Sequence, residues 1–233
     1  MTAKTFQCPN CGSALTTEGG EREVQCPYCR SSVIVPNELS GPAQPARRSF
    51  ANVFLKDDFS DPSSGWEPKE KNQNYTTEYK DGHYHIAIQP NYPHARTMFR
   101  ENFTDCSVEM DVQKIAGEDF SLIGVIARGS DDGYYSFEFD YRGHIGIFQA
   151  DSSFNSTKLI VGHYDPTKID PKGVNHIQGI CDGQNLSIVL NGQFVAEVQN
   201  SIFKEGGIGF TVNPGKAGNA VEVLFSNFVV KGP

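Results

Sequence analysis

The stretch CSVEMDVQK, residues Cys106–Lys114, alternates between apolar Val108, Met110 and Val112 and polar Glu109, Asp111 and Gln113. A period of two sends successive side chains to opposite faces of a strand, so one face here is dry and the other wet. The pattern extends outward. In Gly82–Ile88, Tyr84, Ile86 and Ile88 alternate with His83, His85 and Ala87. In Tyr134–Asp140, alternation sends Tyr134, Ser136, Glu138 and Asp140 one way and Tyr135, Phe137 and Phe139 the other. The run LIGVIA, Leu122–Ala127, reads as a central strand buried on both faces. Asp81-Gly82, Asp132-Gly133, Asp182-Gly183 and Asn191-Gly192 suit the φ > 0 turns of tight hairpins. The last two bracket a meander of 174–181, 184–190 and 193–199, and Gly207–Val212 and Ala220–Lys231 supply further strands. Roughly twelve to fourteen short strands and no helix are expected, the pattern of an antiparallel two-sheet sandwich.

Composition agrees. The 233 residues include 17 Val and 15 Ile against 8 Leu, beside 16 Phe and 9 Tyr, which excludes an all-helical protein. A formal charge of -8 and a pI of about 5.2 argue against nucleic acid held by phosphate contacts. With no apolar run long enough to span a bilayer, membrane insertion is not expected. MTAKTFQCPN lacks the apolar core of a secretory signal, so a cytoplasmic location is expected, the cell surface being the alternative.

Three zones divide the chain. Residues 1–36 hold four of the six cysteines, 37–52 (NELSGPAQPARRSFAN) read as a flexible linker, and 53–233 are strand after strand. The first zone is electrically neutral and the linker carries +1, which leaves -9 on residues 53–233.

Cys8-Pro9-Asn10-Cys11 and Cys26-Pro27-Tyr28-Cys29 are two C-x2-C pairs separated by fourteen residues. Two tight turns that each carry a pair of thiolates supply the closed tetrahedral set of a structural zinc ion, with iron as the competing metal. A segment this short cannot fold on apolar burial alone, so its metal must contribute much of its stability. CPNCGSAL followed by VQCPYCRSSVIVP resembles a zinc ribbon over residues 6–36. Some zinc ribbons bind nucleic acid through basic and aromatic side chains. The segment between these knuckles, GSALTTEGGEREVQ, carries three glutamates and one arginine, so a structural or protein-docking role is expected instead. Cys106 and Cys181 are expected as free buried thiols, because a disulfide would need them to face each other across the sandwich.

DDFSDPSSGW (Asp57–Trp66), YKDGHYHIAI (Tyr79–Ile88), CSVEMDVQK, GVIARGSDDGYYSFEFD (Gly124–Asp140), QNLSIVLNGQFVAEV and VEVLFSNFVV resemble a concanavalin A-like lectin/glucanase jelly roll. Laminin-G modules and 3-keto-disaccharide hydrolase-like domains are nearest in style. The resemblance spans about 53–232 and implies an all-β chain: a small zinc ribbon, then a jelly-roll sandwich that binds carbohydrate or protein. Laminarinase-like members place three carboxylates on one strand as E-x-D-x-(x)-E. Here Glu109 and Asp111 fit the first two, but the third position holds Gln113, or Lys114 if a bulge is present; an amide cannot protonate a leaving oxygen, and the third carboxylate is missing. Glu138 and Asp140 form a second same-face pair, again with no third acid. No catalytic residue is therefore assigned.

A sugar site needs an aromatic platform and planar polar partners. Trp66 is the one tryptophan, either such a platform or a plug closing the core. Tyr134, Glu138 and Asp140, with Arg128 from the neighbouring strand, form the densest polar and aromatic group. His83 and His85 read as solvated, with His94 as the one further histidine near them in sequence, and Asp57, Asp58 and Asp61 offer a weak calcium site. The expectation is a non-catalytic protein that recognises a glycan or another protein. A structural subunit that assembles with itself or others, and a sugar hydrolase, are the competing readings.

Overall fold

The computed structural model describes residues 3–18, 21–36, 39, 48–66, 74–153, 155–216 and 219–233. Near the N-terminus, β1 (Lys4–Gln7) pairs with β2 (Ala14–Thr17), and β3 (Glu23–Gln25) with β4 (Ser32–Ile34). Then follow β5 (Asn52–Asp57), β6 (Tyr75–Lys80), β7 (His83–Ile88), β8 (Ala95–Phe103), β9 (Cys106–Gly117), β10 (Leu122–Ser130) and β11 (Gly133–Phe139). The chain continues through β12 (His144–Asp151), β13 (Ser156–His163), β14 (Asn175–Asp182), β15 (Asn185–Leu190), β16 (Gln193–Gln199), β17 (Gly206–Asn213) and β18 (Val221–Gly232). Among the described residues the one helical piece is a 3-10 turn at Pro166–Lys168, and no helix is long and apolar enough to cross a membrane.

Two large sheets stack as the alternation demands. The front sheet runs β3-β4-β13-β12-β11-β10-β17-β8; the back sheet runs β16-β15-β14-β9-β18-β7-β6, with β5 also paired to β18. Between them lies one apolar core, to which β11 contributes Tyr135, Phe137 and Phe139, β9 contributes Val108, Met110 and Val112, and β7 contributes Tyr84, Ile86 and Ile88. Contact across the gap is close. A side chain on Gly179 of β14 would collide with the ring of Phe137 at 2.4 Å, so the back sheet needs a glycine there.

The N-terminal segment is fastened to the sandwich. Val33 of β4 lies opposite Val161 of β13 in parallel pairing, and the two join Cys8, Leu15 and Cys26 in a second, small core. The β3–β4 hairpin thereby covers β13, which would otherwise present an unpaired sheet edge. Of the expected linker, only residue 39 and residues 48–52 are among those described, and Asn52 already belongs to β5.

Cys106 and Cys181 are free and buried as expected, directly opposite each other on adjacent strands of the back sheet. One expectation changes. His85 is not solvated, because its ring is buried between Glu78 at 3.3 Å and Glu222 at 2.8 Å.

Trp66 is 3 % exposed, its ring centred 4.7 Å from Phe228 and 5.0 Å from Phe210. It is a plug in the core and has no face to offer a ligand. Asp57 holds it there: Oδ2 accepts from Trp66 Nε1 at 2.7 Å and from Ser64 Oγ, while Oδ1 accepts from the Phe59 amide at 2.7 Å. The last bond steadies Phe59 at φ 58°, a conformation that a bulky residue rarely adopts. With its carboxylate occupied this way, Asp57 does not converge with Asp58 and Asp61 on a cation; among the described residues only cysteines cluster as metal ligands. Replacing Asp57 with Ala leaves three donors without their acceptor, and we expect a loss of about 2–4 kcal/mol. The thermal midpoint should fall by roughly 5–15 °C, measured by calorimetry.

Candidate functional site

Two places gather chemistry-bearing side chains. The first is the cysteine quartet. The two turns repeat one design: the Cys8 amide donates to Ser13 O (2.8 Å) and Gly12 donates to Cys8 O (2.8 Å). Eighteen residues on, Cys26 donates to Ser31 O (2.9 Å) and Arg30 to Cys26 O (2.9 Å). Each turn needs a left-handed residue after its second cysteine, which Gly12 supplies at φ 75° and Arg30 at φ 61°. The Sγ–Sγ distances are 3.7 Å for Cys8–Cys29 and 3.6 Å for Cys11–Cys26, and all four sulfurs lie within 4.8 Å of one another. Four thiolates at about 2.3 Å from one ion sit about 3.8 Å apart, so the donor set fits a tetrahedral metal. Burial pushes the Cys8 thiol up to about 12, whereas bonds from Asn10 and Ser31 pull Cys29 down to about 5. Uptake of a metal therefore has to release protons, Cys8 being the hardest to strip.

The second place is the outer face of the front sheet, turned away from the core. Along β11, Tyr134, Ser136 and Glu138 point outward, and Asp140 follows just past the strand's end. Register sets Gly124 of β10 and Gly146 of β12 on either side of Glu138. The Glu138 side chain lies low between these glycines, 9 % exposed, and accepts from Ser136 Oγ. Burial pushes its carboxyl up to about 7. Asp140 behaves oppositely. Burial works to raise it, but bonds from His144 and Arg142 prevail and hold it below the usual carboxylate range. Two acids two residues apart thus differ in proton affinity because one lacks, and the other has, cationic donors.

A cavity of about 750 Å³ opens where this face meets the β8 edge. Tyr75 and Tyr92 stack with ring centres 5.1 Å apart and 23° between planes, and the Arg96 guanidinium stands 4.9 Å above the Tyr134 ring. His94 lines the same cavity, held below its ordinary value by burial first and then by the Arg96 charge, so at neutral pH it is an uncharged polar group. Asp131 and Ser130 of the β10–β11 hairpin complete the polar wall. The site escapes sequence reasoning because Tyr75, the Tyr92–Arg96 stretch and Tyr134 come from separate segments that only the fold brings together. The cluster Asn91-Tyr-Pro-His-Ala-Arg96, with its aromatic and planar polar groups at the entry to a strand, was the available signal.

Arg128 is not part of this face. A bulge between Ala127 and Ser130 puts it at φ 52° and breaks the alternation that would have set it beside Tyr134. It is 2 % exposed and donates to Thr104 O (2.9 Å), Phe203 O (3.1 Å) and Asp105 Oδ1 (3.4 Å), a latch between strand ends. Glu109 and Asp111 lie elsewhere again, on the outer face of the back sheet. Glu109 accepts from Lys231 (2.7 Å), Gln178 (2.9 Å) and Ser107 (3.0 Å); Asp111 contacts His176 (2.7 Å) and accepts from Asn227 (2.8 Å). Both carboxylates are occupied by structural partners.

Comparison with known proteins adds the fold. No family model matches the chain, and no curated protein does. Solved structures do match. A carbohydrate-binding module from Bacillus subtilis is 16 % identical with a TM-score of 0.51, covering 72 % of this chain and 96 % of that one. A protein of unknown function with a galectin-like fold, also from Bacillus subtilis, is 12 % identical with a TM-score of 0.59 over 78 % and 97 %. The catalytic domain of an endo-1,3-beta-glucanase (laminarinase) from Thermotoga petrophila is 9 % identical with a TM-score of 0.56 over 77 % and 97 %. Likeness at this level establishes a shared jelly-roll fold and transfers no residue roles.

Two outcomes follow from the geometry. Cys26→Ser should reduce bound metal from one ion per chain to nearly none, read by elemental analysis after dialysis. For Glu138, the fold disfavours the ionised form, so the native state binds the proton more tightly than the unfolded state, whose value is near 4.5. Stability is then present below pH 4.5 and lost as pH rises through about 7. Glu138→Gln should be more stable than wild type by roughly 3 kcal/mol at pH 8, with the gap closing by pH 4, in denaturant titrations.

Proposed function

We propose that the protein recognises carbohydrate, the glycan lying on the outer face of the front sheet with its principal contacts in the cavity of Tyr75, Tyr92, Arg96 and Tyr134. The observation that carries this reading is the convergence of stacked tyrosines, a guanidinium and hairpin polar groups in one open cavity of about 750 Å³. Aromatic faces bury the C–H side of a pyranose, and planar donors and acceptors bond its hydroxyls. Solved structures of this fold that are described as a carbohydrate-binding module and a glucanase support it by analogy. In the same reading residues 1–36 are a zinc ribbon, with Cys8, Cys11, Cys26 and Cys29 holding one zinc ion. The ion steadies the turns that dock the ribbon on β13, and residues 53–233 are the sandwich. Four thiolates favour zinc, which needs no geometry beyond the tetrahedron they already form.

Sugar hydrolysis is the second reading, favoured by one observation: Glu138 is pushed up to about 7 while Asp140 is held low, the split that separates acid from base. Binding is preferred because Glu138 is nearly covered and does not line this cavity.

The test is a polysaccharide pull-down and calorimetric titration with the full chain. Tyr92→Ala should weaken glycan binding about five- to thirtyfold, since a stacking platform contributes about 1–2 kcal/mol, while leaving the circular dichroism spectrum unchanged. Retention of no polysaccharide by the wild type, or full affinity in Tyr92→Ala, would refute this placement. Release of reducing sugar by the wild type and not by Glu138→Gln would establish the hydrolase instead.

A further inference from the structure

At the far end of β11 a second cavity, of about 370 Å³, lies between the same outer face and the first cysteine turn. Arg142, Lys158 and Lys216 line it together with Phe120, Phe148 and Asn10. This charge runs against the rest of the sandwich, since residues 53–233 carry -9. The acid in the lining, Asp140, is already consumed. Its side chain is 2 % exposed and bonded to Arg142 Nη2 (2.9 Å) and Nε (3.2 Å), to the Arg142 amide (2.9 Å), and to the His144 amide and ring at 3.0 Å each.

Among the described residues no carboxylate forms an ion pair with Lys158 or Lys216. Lys158 Nζ donates instead to the side-chain oxygen of Asn10, whose amide donates to Ser31 Oγ at 3.0 Å. That partner is neutral, so the ammonium keeps its full charge at the cavity wall. The Arg142 guanidinium and the Lys216 ammonium stand 5.4 Å and 5.5 Å from the same ring, that of Phe120. An aromatic face attracts both and gathers cations that would otherwise move apart. Asp140 already offsets Arg142, so Lys158 and Lys216 carry the charge that an entering anion would offset.

We infer that this second cavity binds the carboxylate or sulfate of an acidic glycan whose sugar chain reaches it along β11 from the tyrosine cavity. Tyr134 and Asp140 mark the two ends of that path, six residues or about 20 Å of strand apart, which calls for an oligosaccharide. The Phe120 and Phe148 rings beside the cations suit a charged sugar better than a bare ion. The inference rests on the glycan reading of the outer face and adds the ligand's charge to it.

The experiment uses matched pairs on the full chain: polygalacturonate against methyl-esterified pectin, and heparin against desulfated, carboxyl-reduced heparin. Titration calorimetry should give at least a tenfold preference for an acidic member, weakening as salt is raised. Lys158→Ala/Lys216→Ala should remove most of that preference while the circular dichroism spectrum stays unchanged. Equal affinity for charged and neutral members, or an unchanged preference in the double variant, would overturn the inference yet leave glycan binding intact. Absence of binding to every member would remove the carbohydrate reading beneath it as well. Sodium sulfate alone is the control for the source of the anion: uptake of sulfate with no preference among glycans makes this a free-anion site and also overturns the inference.

Discussion

The register of β11 between its two neighbours is the constraint on which the rest depends. Each residue of this strand is committed to one of two environments: Tyr135, Phe137 and Phe139 to the core, Tyr134, Ser136 and Glu138 to the outer face. A slip of one residue would put Glu138 among the core aromatics and Phe137 in the groove. Glycines at the pairing positions 124 and 146 leave room for Glu138 between them, and the Phe148 ring packs over Gly146. The outer face has a cavity near each end of this one strand.

The cysteine segment shares that design. Through Val33 and Val161 it extends the front sheet by two strands, and through Asn10 and Lys158 it forms a wall of the basic cavity. The segment has only a small core of its own, built with Val161 of the sheet edge that it covers, beside four thiols placed closely enough to share one metal ion. Cysteine quartet, sheet edge and basic cavity are thus mechanically one structure.

Much of the fold was legible from local pattern. Met110, Tyr84 and Phe137 alternate with polar neighbours because one side of each strand must be dry, and the four cysteines are spaced as two turns must be to meet at one ion. The site was less legible, for reasons that are equally physical. Arg128 left its expected face because a bulge turned its backbone to a left-handed conformation, which no alternation rule anticipates. Trp66 could be read as platform or plug until Asp57, nine residues earlier, was seen to hold its indole nitrogen. Tyr75 and Tyr92 meet only once β7 has folded back between them, and the acids at 109 and 111, which carried the hydrolase pattern, were absorbed into salt bridges with strands far along the chain.

Hydrogen–deuterium exchange with and without a bound oligosaccharide locates the ligand surface most directly. Binding on the front sheet predicts slowed exchange in residues 91–98, β11 and β12, with β9, β14 and β18 of the back sheet unchanged. Protection centred on the back sheet around Glu109 and Asp111 would contradict it.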